Sequence, residues 1–203
     1  MKVEDKRLKE RLKSQINFII EADKLKQIYR QNILLDKSRR ETDAEHSWHL
    51  ALMVILLYEH VSHKDINILS VMKMVIIHDI VEIDAGDTYC FDVEACMDQN
   101  SREQRAAERL FGMLPIDQAD EFKNLWEEFE QQVTPEARFA GALDRLQPLL
   151  LHCNTEGESW KSHGITSKKV IERNKHTKEI SESLGGLVDE LINDALMKGY
   201  LAK

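Results

Sequence analysis

The chain is poor in residues that break or cross-link a backbone, with 8 glycines, 3 prolines and 3 cysteines in 203 positions. So few breakers argue against a turn-rich β fold and favour helices. The cysteines, Cys90, Cys96 and Cys153, are odd in number and none belongs to a CxxC pair. This pattern speaks against a disulfide framework and against a finger-type metal site, and implies free thiols in a reducing compartment. Positive charge is also short: 28 basic residues face 36 acidic ones, for a formal charge of −8. Polymeric nucleic acid and anionic membrane surfaces ask for the opposite balance, with clustered Lys and Arg. A single nucleotide remains compatible, because a metal ion and one or two local cations can meet its phosphate. Long apolar runs are missing as well. The stretch MVILLY from Met53 is among the longest, well short of the roughly 18 residues of a membrane helix. The charged start, MKVEDKRLKERLKSQ, has no apolar leader core. Neither a signal peptide nor a membrane span is expected, and the expected address is cytoplasmic.

Apolar residues at 42% and charged residues at 32% allow a real core under a solvated surface. The length suits one domain over 1–203, with a catalytic core at about 30–155 and C-terminal helices over 167–198 packed on it. Leu8, Leu12, Ile16, Ile19, Ile20 and Leu25 give a helical spacing over 5–30, and 31–41 reads as a loop. Thr42-Asp43-Ala44-Glu45 fits a capping box opening the next helix. A helix capped by Asp65 is expected to run through His78 and Asp79 and to stop at Gly86. Helices over 101–113 and 117–131 flank Pro115. Thr134-Pro135-Glu136 then marks a strong start for a helix reaching His152. A polar loop over 154–166 and helices over 167–184 and 187–198, split by Gly185-Gly186, complete the chain. No segment alternates with period 2. The expected fold is all-α, a bundle of about eight helices and no sheet.

The chemistry concentrates in His78-Asp79-Ile80-Val81-Glu82 and the Gly86-Asp87 that follows. An imidazole beside a carboxylate on an apolar helix is costly to bury unless partnered, and a cation would satisfy both groups. Taken alone, the dyad fits a core hydrogen bond as well as it fits a metal site. Glu82 lies one turn on, on the same side as His78 and Asp79, where a base would stand. His46 sits in the first turn of its helix before an apolar face. Asp144 interrupts the apolar run of Phe139, Ala140, Leu143, Leu146 and Leu150. An interior Asp is a poor helix former and an expensive core residue. Pro148, four residues later, removes the donor for its carbonyl and should bend the helix. Two His and two Asp on three helices suit a hard-to-borderline divalent ion with open positions. His49 reads as a packing residue. Trp160 and His163 read as loop residues with a lid over the pocket as the lesser option, Arg39-Arg40 equally as a solvated loop or as charges steering an anionic substrate, and Arg102, Glu103 and Glu108 as solvated surface pairs with ion pairs near the site as the lesser option.

The order His, His-Asp, distant Asp resembles the HD-domain metal-dependent phosphohydrolases, over about residues 5–190. Glu45-His46-Ser47, His78-Asp79-xx-Glu82-xxxx-Asp87 and Ala142-Leu143-Asp144 are similar to the branch that includes bacterial 5′-deoxynucleotidases. The resemblance implies one divalent metal ion (Mn, Co, Mg, Zn, Ni or Fe) on His46, His78, Asp79 and Asp144. It implies Glu82 as the acid that activates water, Asp87 as a catalytic, substrate-contacting acid, and Arg30 as a phosphate contact. The substrate implied is a small phosphorylated molecule, a (deoxy)nucleoside 5′-monophosphate, and a homodimer is expected. This chain carries Gln31 where that branch has a tryptophan, and Thr-Tyr-Cys-Phe after Asp87 in place of a proline-containing loop. Two alternatives stand beside the phosphomonoesterase. One is a non-catalytic nucleotide or metal sensor on the same scaffold. The other is a hydrolase for a different phosphorylated nucleotide, a triphosphate or a guanosine alarmone.

Overall fold

The computed structural model describes residues 2–203 and is built almost wholly of helices. Eight of them are eight residues or longer: α1 (Lys2–Ala22), α2 (Asp43–Leu57), α3 (Ile68–Ile77), α6 (Gln99–Phe111), α7 (Ile116–Gln131), α8 (Pro135–Asn154), α10 (Ser167–Asn174) and α12 (Glu182–Met197). Single-turn pieces fill the gaps: α4 (Glu82–Ala85), α5 (Val93–Cys96), α9 (Glu158–Ser162) and α11 (Thr177–Ile180). Among the described residues no helix is long and apolar enough to cross a membrane.

The all-α expectation needs one correction. The segment read as a loop is a small antiparallel hairpin of β1 (Tyr29–Ile33) and β2 (Arg40–Thr42), with Tyr29 opposite Thr42 and Ile33 opposite Arg40. Strands this short show too few positions for alternation to be seen. The first helix accordingly stops at Ala22, followed by a 3₁₀ turn over Asp23–Gln27. The hairpin ends on Thr42, the N-cap of α2, so it fixes Arg30 and His46 to one frame.

Other boundaries moved for local reasons. Asn67, not Asp65, caps α3, its side chain accepting the Ser70 N–H. The segment expected as one helix over 167–184 breaks twice, and Ser181 caps α12 by accepting from the Leu184 N–H. Gly185 and Gly186 lie inside α12 rather than between helices. A Cβ on Gly185 would come within 2.6 Å of Lys178, so that glycine lets α11 and α12 pack closely. The 154–166 segment is not an open loop, since α9 crosses it and buries Trp160. Helix α8 continues through Pro148 to Asn154.

Two apolar clusters make the core. One joins α2, α3, α8 and α12 through Leu50, Val54, Met74, Leu143, Leu146 and Val188. The other joins α1, α6 and α7 through Phe18, Leu110, Phe111 and Trp126. Met74 and Val75 belong to the first cluster, while Ile77, Ile80 and Val81 belong to the second. The chain therefore passes from one to the other between Val75 and Ile77, and the polar site begins immediately after that seam, at His78-Asp79.

Candidate metal centre and active-site pocket

Four short pieces of chain supply the site. His46 projects from the first turn of α2, which is held by the expected capping box. The Thr42 side chain accepts from the Glu45 N–H at 3.3 Å, and the Glu45 carboxylate accepts the Thr42 N–H at 2.9 Å. Each such cap is worth about 1 kcal/mol. His78 and Asp79 lie not in α3 itself but in a 3₁₀ turn, His78–Val81, that follows it. Glu82 opens α4, which ends at Gly86 with φ of 76°, a left-handed value suited to glycine. Asp144 stands in the middle of α8, whose neighbouring Ala140, Ala142 and Leu143 are fully buried.

These groups converge. His46 Nε2 lies 3.0 Å from Asp144 Oδ1 and 4.0 Å from Asp79 Oδ2. His78 Nε2 lies 3.1 Å from Asp79 Oδ1 and 3.7 Å from Asp144 Oδ1. The other ring nitrogens settle the tautomers. His78 Nδ1 is 3.1 Å from the Val75 carbonyl, which can only accept, so Nδ1 carries the hydrogen. His46 Nδ1 is 2.9 Å from Gln147 Oε1, and the Gln147 amide nitrogen donates to Glu41 at 2.6 Å. Turning that amide over would set its oxygen against the Glu41 carboxylate, so His46 Nδ1 is also the donor. With Nδ1 committed as a donor in each ring, Nε2 is the atom each imidazole turns to the carboxylate oxygens, and in the neutral form it presents a lone pair there. A buried lone pair facing a carboxylate needs a proton or a cation between them. His78 Nε2 is buried with no hydrogen-bond partner. Burial opposes charge on His78, yet Asp79 and Asp144 outweigh it and raise its pKa. Asp144 pays for its own burial, but the two imidazoles hold it well below the usual carboxylate range. A divalent cation fits this gap, and ligand atoms of His46, His78 and Asp79 lie within 4.8 Å of one another.

A second layer surrounds the first. One amino group of Arg30 donates to Asp79 at 2.8 Å and to Asp43 at 3.1 Å, and lies 3.9 Å from Asp87. Its other amino group comes within 4.0 Å of Asp144. Asp43 and Glu82 are buried, and each keeps one carboxylate oxygen without a partner. Desolvation and then Asp79 raise both, Asp43 to about 7 and Glu82 well above its ordinary value. Two carboxylates this close share one proton readily. Asp87 is raised chiefly by burial, with Arg30 opposing. A cavity of about 350 Å³ opens beside these groups, lined in part by Arg30, Glu82, Asp87, Asp144, Arg145 and Arg173.

The structure thus brings His46, His78, Asp79, Asp144, Glu82, Asp87 and Arg30 together. It adds residues that the sequence reading passed over. Asp43 was hidden in the capping box. Gln147, fully buried among His46, Glu41 and His49, shares a face of α8 with Asp144 three residues earlier. That spacing was the available signal. His49, read as a packing residue, accepts from the Gln147 amide at 3.2 Å, and Glu103, read as solvated, is buried. Trp160 is buried and lines the cavity, packing on His152 with ring centroids 4.7 Å apart.

Fold and site together define the class, and the chain belongs to the HD domain family, whose model matches residues 22–184. Among curated proteins it is similar to the 5′-deoxynucleotidase HDDC2 of Xenopus laevis, 30% identical over 139 residues, 68% of this chain and 67% of that protein. The human 5′-deoxynucleotidase HDDC2 is 27% identical over 139 residues, covering 68% and 66%. The aligned stretch spans about two thirds of these relatives. Among solved structures, a predicted metal-dependent phosphohydrolase from Magnetospirillum magnetotacticum MS-1 superposes with a TM-score of 0.91 at 50% identity, over 96% of this chain and 100% of that one. An HD-domain phosphohydrolase from Listeria innocua, at 0.62 and 16% over 89% of each chain, shares the fold alone.

Proposed function

We propose that this chain is a metal-dependent phosphomonoesterase that releases phosphate from nucleoside 5′-monophosphates, deoxy forms included. The observation that carries the reading is the pair of imidazoles with committed Nδ1 atoms and Nε2 lone pairs turned onto two carboxylates. His46, His78, Asp79 and Asp144 would hold one divalent cation, which when bound would supply the charge that orients the phosphate and acidifies a water. Glu82, one turn beyond the ligands, takes the proton of the attacking water, and Asp43 beside it shares that proton. Asp87 lines the cavity where the leaving nucleoside lies. Arg30 holds Asp79 in position, and its second amino group, free of side-chain hydrogen bonds, is left for a phosphate oxygen. The kinship with 5′-deoxynucleotidases and with a metal-dependent phosphohydrolase points to the same chemistry. A sensor would have no use for Glu82 as a base, although Glu82 also lies with Asp43 and Asp79 in a second group of carboxylates close enough to hold a cation.

The test is a phosphate-release screen of ribo- and deoxyribonucleoside monophosphates, with Mn²⁺, Co²⁺, Mg²⁺ and Zn²⁺ supplied separately. Release from at least one monophosphate with at least one metal is expected. Nucleotide binding without release under every metal would make the chain a sensor. Gln31 and Tyr89 line the cavity, so the ribo-to-deoxy ratio reads how this pocket treats the sugar.

A further inference from the structure

The cation count around the cavity does not suffice for a dianionic substrate. Asp43, Asp79, Asp87 and Asp144 all lie within 4.0 Å of Arg30. One guanidinium and one divalent ion do not leave this ring of acids attractive to a phosphate monoester. Two further arginines line the same cavity. Arg145 follows Asp144 on α8. Among the described residues it has no carboxylate within 4.0 Å, and its one side-chain contact is a long 3.4 Å bond to Gln132 Oε1. Its Nε is buried without a partner. Among the described residues Arg173, near the end of α10, has one carboxylate within 4.0 Å, that of Asp144, whose Oδ2 lies at 3.9 Å. The other oxygen of Asp144 is the one turned to His46 and His78. Arg173 therefore stands on the cavity side of a proposed metal ligand, one carboxylate away from the ion. Elsewhere among the described residues, arginines are either paired closely, as Arg11 is with Asp117 and Arg109 with Asp84 and Glu21, or, like Arg40 and Arg105, exposed to solvent. Two under-paired guanidiniums side by side repel one another unless an anion joins them, and planar forks of N–H donors match phosphate oxygens.

We propose that Arg145 and Arg173 form a clamp on the phosphate group of the substrate, supplying the positive charge that Arg30 spends on its carboxylates. The assignment rests on the phosphomonoesterase reading for its substrate, and on the cavity for its location. Arginine is suited to this task because its donors are fixed in a plane. Lysine would restore charge without the bidentate geometry.

The test reads binding and turnover separately. Inorganic phosphate is titrated calorimetrically into the Mn²⁺-loaded wild type, Arg145→Gln, Arg173→Gln and the double variant, and KM and kcat are measured on one nucleoside monophosphate. Each single change should weaken phosphate and raise KM by about 10-fold, and the double by about 100-fold or more, the size of one and two lost charge-assisted bonds. Metal content and Tm should stay at wild-type values, and Arg173→Lys should recover part of the loss. Double-variant phosphate affinity and KM within about twofold of wild type would overturn the clamp. So would a loss confined to a substrate bearing a second phosphate, which would make the pair a site for that other group. A wild type that binds phosphate through these arginines but hydrolyses no monoester would keep the clamp and remove the esterase reading. A metal-loaded wild type that binds no phosphate would remove the clamp.

Discussion

At the residue scale the proposed ligands and the proposed base answer different questions. Glu82→Ala should keep the metal and still bind nucleotide, with turnover lower by roughly 10²–10⁴, the usual range for a lost general base. His78→Ala should lose metal and activity together. Metal analysis and phosphate release on the same preparations check both, and full activity in metal-replete Glu82→Ala would remove Glu82 from the mechanism. These residues were legible because imidazoles and carboxylates are conspicuous among Ile, Val and Met. Gln147 and Asp43 were not, since a glutamine in a helix and an acid in a capping box each have an ordinary explanation that only the fold removes. His152 shows a further effect that needs coordinates. Burial pushes its imidazole down to about 3, from an ordinary value of 6.5. Between those values the unfolded chain binds a proton that the native one refuses. Stability therefore falls as pH falls below about 6.5, by at most about 1.4 kcal/mol per pH unit from this group, and is untouched above that range. His152→Phe should flatten the acid side of a denaturant-midpoint profile. An unchanged slope between pH 6 and 4 would show that this ring is not buried neutral.

At the scale of elements, helix periods and caps carried most of what the sequence revealed. Thr42 and Thr134 each act as the N-caps their motifs announce. The hairpin was invisible because strands of five and three residues have no period to display. Glycines misled where packing, not chain reversal, required them. That was the case for Gly185, and Gly141, which the sequence did not single out, meets the same kind of demand inside α8, where a Cβ would come within 2.1 Å of the Gln132 side-chain amide. That amide closes the α7–α8 corner by donating to the Phe129 and Ala137 carbonyls at 2.8 and 3.0 Å. Gln132 itself sits at φ of 53° to turn the chain. Gly141→Ala gains helix propensity of up to about 1 kcal/mol. It must also push the amide off two buried carbonyls, at about 1–3 kcal/mol each. The net expectation is destabilisation by about 1–5 kcal/mol, with a raised KM as Arg145 loses its Gln132 contact. A variant as stable as wild type by urea unfolding would mean that the corner relaxes without cost.

At the scale of the molecule, helix α2 is apolar on two sides, and one side already has a use. Leu50, Met53 and Val54 enter the core beside His46. On the outer side Trp48, Leu52, Ile55 and Leu56 are exposed, Trp48 at 67% and Leu56 at 58%. Leu69 and Ile76 of the neighbouring α3 are exposed as well. The spacing of 48, 52, 55 and 56 is itself helical, so this is a continuous stripe and not scattered residues. A stripe of that kind is unfavourable in water and marks an association surface in a soluble protein. Pairing of the same face on two copies is the simplest closed arrangement, which makes a homodimer through α2 and α3 our expectation. Such a dimer would brace the helix that carries His46 without covering the cavity residues on α8 and α10. Light scattering at micromolar concentration should therefore give twice the 23.6 kDa chain mass. Ile55→Lys with Leu56→Lys should return it to one chain, because two charges placed in an apolar interface leave water without partners. Metal content should survive that change, since neither side chain reaches the site. A wild type already at single-chain mass would sink the dimer and leave the stripe open to a different partner.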